Sequence, residues 1–314
     1  MVDLRNLETF VWVAQLGGFR AAAEKLNTTQ PAISARIALL EDELRVKLFD
    51  REQRRATLTA KGFELLGYAE RMLQLRADMM QAVTEKMAMR GLIRLGVAET
   101  IVHTWLSRLV ERLHAVYPSI TLEIEVDTTP NLRAGLVAHQ LDVAFLLGPV
   151  SEARIKNLPL CAYPLAWVAS PKLELPPEPV PIASLARWPI ITYPRNTRPY
   201  LEIQELFARG DVPGPRLYGN ASLSTIVRMT LDGIGVSAIP PVVIGRELAE
   251  KKLRLVRAER SLPDLNFVAA YPVKPDSYIA AAVAELAKEI ATKPLGAAGK
   301  SAKNSPQEPA RAAR

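Results

Sequence analysis

The sequence has little cysteine and histidine, and these shortages exclude several kinds of chemistry. Its single cysteine, Cys161, excludes an internal disulfide framework and a switch built from two thiols of one chain. Its three histidines lack the spacing of metal ligands, and no G-x-S-x-G nucleophile elbow occurs. The lone G-x-G, in DGIGV at 232–236, follows a predicted helix and enters a predicted strand, the reverse of a dinucleotide fingerprint. We therefore expect no catalytic residues, no metal site and no cofactor.

Long apolar runs are also missing. No run approaches the roughly 18 residues that span a bilayer, and the polar N-terminus lacks the pattern of a secretory signal. We therefore expect a cytoplasmic protein without membrane contact. The chain does have an excess of positive charge, with a formal net charge of +7 over 314 residues, which suits a polyanionic partner. Residues 293–314 are rich in alanine, proline and basic residues, and this composition predicts a disordered basic tail.

The stretch NTTQPAISARIALLEDEL, residues 27–44, has one apolar side and one side of small residues. The apolar stripe, at helical spacings of four, three and four, consists of Ile33, Ile37, Leu40 and Leu44. The opposite side carries mainly alanine, serine and proline, where a solvated helix usually carries long charged side chains. A short helix and a tight turn precede it, which completes a helix-turn-helix whose second helix enters the major groove. The alternative is that the alanines serve helix propensity alone.

Two groups of residues are predicted to contact DNA. On the second helix, Gln30 and Ser34 can hydrogen-bond to base edges, and Pro31 can meet a thymine methyl group. Arg36 lies at the flank, where it is better placed for a phosphate. The segment LFDREQRRATLTAKG predicts two short strands around a polar turn, a wing with basic residues for the phosphate backbone. These basic residues are Arg51, Arg54 and Arg55.

A known family shares this order of motifs. The segment FVWVAQLGGFRAAAEKLNTTQPAISARIALLEDELRVKLFDREQRRATLTAKG resembles the N-terminal domain of LysR-type transcriptional regulators. The family pattern is roughly S-x-A-A-x-x-L, S-Q-P-A-L/I-S-x-x-I, L-E-x-x-L-G, L-F-x-R and L-T-x-x-G. The resemblance implies a winged helix-turn-helix DNA-binding domain over residues 1–58. It places Thr29, Gln30, Pro31 and Ser34 on groove-facing positions.

A long helix is predicted over the linker region, residues 59–90, and Thr59 can cap its start. An apolar residue recurs every seventh position at Leu66, Leu73, Met80 and Met87. This spacing predicts a coiled-coil seam and a dimer; burial of the same stripe against its own chain is the alternative. In the resembling family this helix dimerises the DNA-binding domains, and two dimers commonly form a tetramer. We therefore expect a homodimer or homotetramer.

Residues 91–292 alternate between predicted strands and helices, which favours parallel sheets covered by helices. Two similar α/β units are traced: lobe I, residues 91–162 and 266–292, and lobe II, residues 163–265. The pattern is similar to the two-lobed, periplasmic-binding-protein-like effector domain of LysR-type regulators. The predicted fold class is thus multidomain: a winged helix-turn-helix, a long linker helix and a two-lobed α/β domain.

Ligands of open α/β sheets bind beyond the carboxyl ends of strands, where helix N-termini expose N–H groups. Four segments lie at such ends: AET at 98–100, DTTP at 127–130, TYPRN at 192–196 and GNAS at 219–222. Each hydroxyl there is also a possible helix cap. The resemblance implies effector contacts from Thr100, Thr128, Thr192, Tyr193 and Ser222. We add the neighbouring His103 and Thr129 as candidates.

The predicted effector is a small polar metabolite, with an organic acid favoured because helix N-termini attract negative charge. Glu99 is at odds with this expectation. If its carboxylate faced the cleft, it would repel an anion unless Arg195, Arg198 or His103 compensated.

The sequence therefore predicts a DNA-binding regulator, not an enzyme, with three partners: double-stranded DNA, a small-molecule effector and a second copy of itself. Three alternatives stay open at this point. They are an α/β enzyme fused to a DNA-binding module, a solute-capturing transport protein, and an architectural DNA-binding protein without an effector.

Overall fold

A computed structural model of the chain describes residues 3–50, 56–83, 89–152, 154–208, 214–274 and 277–293. Within the long helix, the side chains of residues 77, 78 and 80–83 are not described. Several predicted features lie outside the described part. They are Arg51, Arg54 and Arg55 of the wing, Met87, the Met80 side chain and residues 294–314.

The N-terminal unit consists of three helices and a two-stranded wing. Its elements are α1 Leu4–Leu16, α2 Phe19–Lys25, α3 Gln30–Leu44, β1 Phe49–Asp50 and β2 Thr57–Leu58, with β1 and β2 antiparallel. The predicted stripe of α3 faces the core, because Ile33, Ile37 and Leu40 are fully or almost fully buried against α1 and α2. Gly17 ends α1 in a left-handed conformation with φ 67°, which favours glycine. These contacts leave the other side of α3 facing outward.

The linker helix α4 spans Ala60–Val83 and is fixed to the wing at its start. The Thr59 hydroxyl accepts from the Gly62 N–H at 3.0 Å, as predicted for a cap, and donates to the Lys47 carbonyl at 2.6 Å. A Cβ at Gly62 would lie 2.2 Å from the Leu48 carbonyl oxygen. Glycine at this position therefore lets the first turn of α4 approach the backbone before the wing.

The predicted dimer seam through Leu66 and Leu73 is wrong. These side chains are 7% and 1% exposed because they pack into the core of their own N-terminal unit. The alternative of burial against the same chain is therefore correct for this stripe. A second apolar stripe of α4, spaced four, three and four, is exposed: Tyr68, Met72, Leu75 and Met79. We call these four residues the open face of α4.

Two five-stranded sheets follow. The lobe I sheet has the order β4-β3-β5-β12-β6, and the lobe II sheet has the order β11-β7-β10-β8-β9. The strands and helices of lobe I are β3 Arg90–Val97, α5 Glu99–Val102, α6 Leu106–Val116, β4 Ser119–Val126, α7 Thr129–Val137, β5 Val143–Leu147, β6 Ile155–Pro164, β12 Asp264–Pro272 and α12 Tyr278–Ala291. Those of lobe II are β7 Ala166–Ala169, α8 Ile182–Leu185, β8 Ile190–Thr192, α9 Arg198–Ala208, β9 Leu217–Gly219, α10 Leu223–Leu231, β10 Val236–Ile239, a 3₁₀ helix Pro241–Ile244, α11 Gly245–Ala249 and β11 Arg254–Val256.

The sheets are mixed, which corrects the expectation of parallel sheets. In lobe I, β3 pairs in parallel with β4 and β5, but β12 is antiparallel to both β5 and β6. In lobe II, β7 is antiparallel to β10 and β11. The reason is that the chain leaves lobe I through β6 and returns through β12, so these two crossing strands run in opposite directions. The cleft between the lobes lies beside this antiparallel pair.

The N-terminal unit contacts lobe I next to a buried ion pair of that lobe. Lys274 donates to the Asp142 carboxylate at 2.6 Å, and its ammonium lies 5.8 Å from the centre of the Trp12 ring of α1. The Trp12 ring also meets the His139 ring edge-on at 5.8 Å. Burial alone would raise the pKa of Asp142, but the Lys274 ammonium lowers it below its ordinary value. The Asp142 carboxylate is therefore charged at neutral pH, and the pair lies where the two domains meet.

Candidate functional site

The N-terminal end of α3 presents a small, open surface. Thr29 caps the helix, with its hydroxyl accepting from the Ala32 N–H at 3.4 Å. Gln30, Pro31 and Ser34 are exposed, while Arg36 at the flank is half-buried. Because none of the described large side chains covers this end, a base edge can approach the helix backbone closely.

Glu41 holds α3 against the wing, and sequence reasoning gave it no role. It is 3% exposed, and one carboxylate oxygen accepts from the Leu48 N–H at 2.8 Å and the Phe49 N–H at 3.4 Å. Lys47 donates to the other oxygen at 3.0 Å. Burial would raise the pKa of Glu41, but the Leu48 N–H and Lys47 lower it below its ordinary value. A carboxylate beside the apolar stripe of an amphipathic helix was the signal for this role.

The second candidate site is a narrow cavity of about 40 Å³ between the lobes. Its lobe I wall consists of Ala98, Glu99, Thr100, Asp127, Thr128, Thr129 and Leu147, with Leu265 and Phe267 from β12. Its lobe II wall consists of Tyr193, Thr197, Pro199 and Ala221. This volume suits very few water molecules. The lobes must therefore separate before an organic molecule can enter.

Four of the predicted effector contacts line this cavity: Thr100, Thr128, Thr129 and Tyr193. The other three are not part of its wall, so their contact with an effector stays a prediction. Thr192 is fully buried at the end of β8, and Ser222 uses its hydroxyl to cap α10 by accepting from the Thr225 N–H at 3.3 Å. His103 lines a separate depression beside α10.

Two polar contacts join the lobes across the cavity. The Glu99 carboxylate of lobe I accepts from the Leu223 N–H at the first turn of α10 in lobe II. Its other oxygen lies 3.6 Å from His103 Nε2. The Thr100 hydroxyl lies 3.3 Å from the Tyr193 hydroxyl. Burial, and secondarily the Glu99 charge, raises the pKa of Tyr193, so its hydroxyl is neutral at physiological pH.

The charged side chains of the cavity wall are acidic. Glu99 and Asp127 line it, whereas the wall contains no lysine or arginine. Arg198, expected to compensate for Glu99, instead pairs with Glu202 at 2.6 Å, and Arg195 is exposed outside the wall. The described residues also include no group of three or more histidine, cysteine, aspartate or glutamate side chains that could hold a metal ion.

Comparison with known proteins relates both sites to one family. Residues 4–63 match the bacterial regulatory helix-turn-helix protein, lysR family, and residues 88–292 match the LysR substrate binding domain. The chain is 30% identical to the HTH-type transcriptional regulator PtxR of Pseudomonas aeruginosa, over 86% of this chain and 87% of that protein. It is 28% identical to the regulator YofA of Bacillus velezensis, over 93% of this chain and 98% of that protein.

Solved structures share the whole arrangement of elements. A full-length OxyR variant from Pseudomonas aeruginosa is 23% identical, with a TM-score of 0.59 and coverage of 93% of this chain and 95% of that one. Full-length LysG from Corynebacterium glutamicum, with its effector Arg bound, is 18% identical, with a TM-score of 0.60 and coverage of 92% and 98%. Among the described helices, none is long and apolar enough to cross a membrane. The chain belongs to the LysR family of DNA-binding transcriptional regulators, which are not enzymes.

Proposed function

We propose that this regulator contacts double-stranded DNA through the N-terminal end of α3 and changes its hold on DNA when a small molecule binds between the lobes. The observation that carries the DNA contact is the exposure of Gln30, Pro31 and Ser34 beside a buried apolar stripe. The proposed division of labour is residues 1–58 for DNA, 59–90 for dimerisation and 91–292 for the effector. We place its work in the cytoplasm, where bacterial DNA lies.

The effector acts by shifting a population between two arrangements of the lobes. The structure supports this because the cavity is closed by contacts of Glu99 and Thr100 with lobe II. A molecule that needs more room favours the separated arrangement. The acidic wall, however, opposes the organic acid that the sequence favoured.

Replacing Gln30 with alanine is expected to weaken specific DNA binding by about 1–3 kcal/mol, because the side chain is placed to read one base edge. The measurement is a fluorescence anisotropy titration on two duplexes. One is selected from a random library by the wild-type protein, and the other is an unrelated duplex of equal length. Gln204→Ala, an exposed glutamine of α9, is the matched control and should change neither affinity. An equal loss on both duplexes would favour an architectural protein instead.

The open face of α4 is proposed to hold two chains together, in place of the seam through Leu66 and Leu73. Leu75 is 70% exposed near its middle, and Tyr68, Met72 and Met79 continue the stripe at coiled-coil spacing. Pairing along this face places two copies of α3 at a fixed separation on DNA. We further propose that two such dimers form a homotetramer.

Leu75→Glu is expected to halve the number of chains in the assembly, because a charge would replace an apolar contact on the open face of α4. Sedimentation velocity of the full chain measures this, with circular dichroism as a check on folding. Leu201→Glu, at an exposed leucine of α9 that is 54% accessible, is the matched control. If Leu75→Glu sediments like the wild type, the open face does not mediate assembly.

A further inference from the structure

We propose that the cleft selects a small organic cation with an apolar body, and that Glu99 is the residue that determines this selectivity by excluding carboxylates. The inference rests on the proposed function, because it takes the cavity between the lobes as the effector site.

Glu99 already occupies the position that would attract an anionic ligand. Helix N-termini bind carboxylates through their unpaired N–H groups, and α10 is a nine-residue helix that points its first turn at the cleft. The Glu99 carboxylate reaches across from lobe I and accepts from the Leu223 N–H at that first turn. A carboxylate ligand would have to displace Glu99 and then remain close to its charge, so the two would repel each other.

The surroundings of Glu99 do not reverse this preference. Asp127 adds a second carboxylate to the wall, and Tyr193 contributes a neutral hydroxyl. His103 Nε2 lies 3.6 Å from Glu99 but belongs to the separate depression beside α10. The arginines of the neighbouring loop and helix α9 are outside the wall, so the field inside the cavity favours a positive group.

A further polar atom in the wall can anchor a ligand, although a hydroxyl that both donates and accepts does not by itself select its charge. The Thr128 hydroxyl oxygen is buried in the cavity wall and makes no hydrogen bond to the described residues. It can accept from an N–H group, as an ammonium, amidinium or guanidinium would supply. The rest of the wall is apolar, from Leu147, Pro199 and Phe267 among others, and suits a short hydrocarbon or aromatic body.

This arrangement also links ligand binding to lobe separation. A cation that approaches Glu99 competes with the Leu223 N–H for the same carboxylate. Because the cavity of about 40 Å³ is too small for an organic cation, binding requires the lobes to move apart. The same residue thus recognises the ligand and, through the Leu223 N–H, holds the two lobes together.

The test is a thermal-shift and calorimetric panel on the full-length protein, with probes that share a body and differ in charge. One set is benzylamine, benzyl alcohol and benzoate; a second is butylamine, butanol and butyrate. We expect the amines to bind the wild type more tightly than the matching carboxylates. Glu99→Gln should weaken amine binding by about 10- to 100-fold, as expected for loss of a charged hydrogen-bond partner, and should narrow or reverse the preference. Glu202→Gln, which removes a carboxylate outside the wall, is the matched control.

Ala221→Trp separates failure of this inference from failure of the proposed function. Ala221 is exposed and lines the cavity, so a tryptophan there should block entry and abolish binding of every probe. Carboxylates that bind the wild type at least as tightly as the matching amines, and are blocked by Ala221→Trp, would overturn the cation inference and leave the cleft as the effector site. Binding that persists in Ala221→Trp would overturn the proposed site itself. A panel without any preference for amines also overturns the inference.

If Glu99→Gln fails to fold, Glu99→Asp, which keeps the charge and shortens the side chain, should retain the preference for amines.

Discussion

Replacing Glu41 with alanine should destabilise the N-terminal unit by about 2–4 kcal/mol, because two backbone N–H groups lose their acceptor in a buried place. The Leu48 and Phe49 N–H groups both donate to this carboxylate, and both residues are buried. The consequence should be largest where α3 meets the wing. Hydrogen exchange of the full chain measures it as faster exchange of the amides of residues 4–50.

Two variants control this experiment. Asp42→Ala removes the neighbouring carboxylate, which is exposed, and should leave exchange unchanged. Glu41→Gln keeps an oxygen acceptor and should recover part of the lost protection. Unchanged exchange in Glu41→Ala would show that the carboxylate does not hold α3 to the wing.

Replacing Asp142 with alanine should lower the free energy of unfolding by about 3–5 kcal/mol, because removing one partner of a buried ion pair leaves the other charge without compensation. The Lys274 residue is 4% exposed, so water does not replace the carboxylate well. Since Lys274 also lies over the Trp12 ring, the contact between the N-terminal unit and lobe I should loosen. Urea denaturation followed by tryptophan fluorescence measures the loss. The double variant Asp142→Leu/Lys274→Met should recover most of it, and a double variant as unstable as the single one would contradict the argument.

The same pair has a defined pH dependence. Because the folded-state pKa of Asp142 is lowered, its contribution to stability is present above its ordinary unfolded value of about 3.9. It is lost as the pH falls from there through the folded-state pKa. Asp142→Ala should therefore differ most from the wild type at neutral pH, and the difference should shrink in acid.

Local patterns predicted most of the N-terminal unit. The apolar stripe of α3 identified its buried side, and the cap predicted at Thr59 is confirmed by its hydrogen bond. The linker helix is a case in which local patterns do not determine the buried side. It has two apolar stripes, and only the packing of α1 decides that Leu73 is covered by its own chain while Leu75 is exposed.

The sequence predicted where the cleft lies but not which contacts cross it. Strand ends led to Thr100, Thr128, Thr129 and Tyr193, because the order of strands and helices determines where those ends meet. The contact between Glu99 and the Leu223 N–H joins residues 124 positions apart, so no local spacing could reveal it. This contact is the reason why we propose a cationic ligand in place of the organic acid favoured from the sequence.

Strand β5 connects the cavity wall to the contact between lobe I and the N-terminal unit. Asp142 immediately precedes it, and Leu147 at its other end forms part of the cavity wall. At about 3.3 Å per residue, these five residues extend over roughly 17 Å. Strands β3 and β12 pair with β5 on its two edges and hold it in an extended conformation. A displacement of Leu147 is therefore expected to reach the Asp142 end of β5, next to Trp12, through one continuous strand.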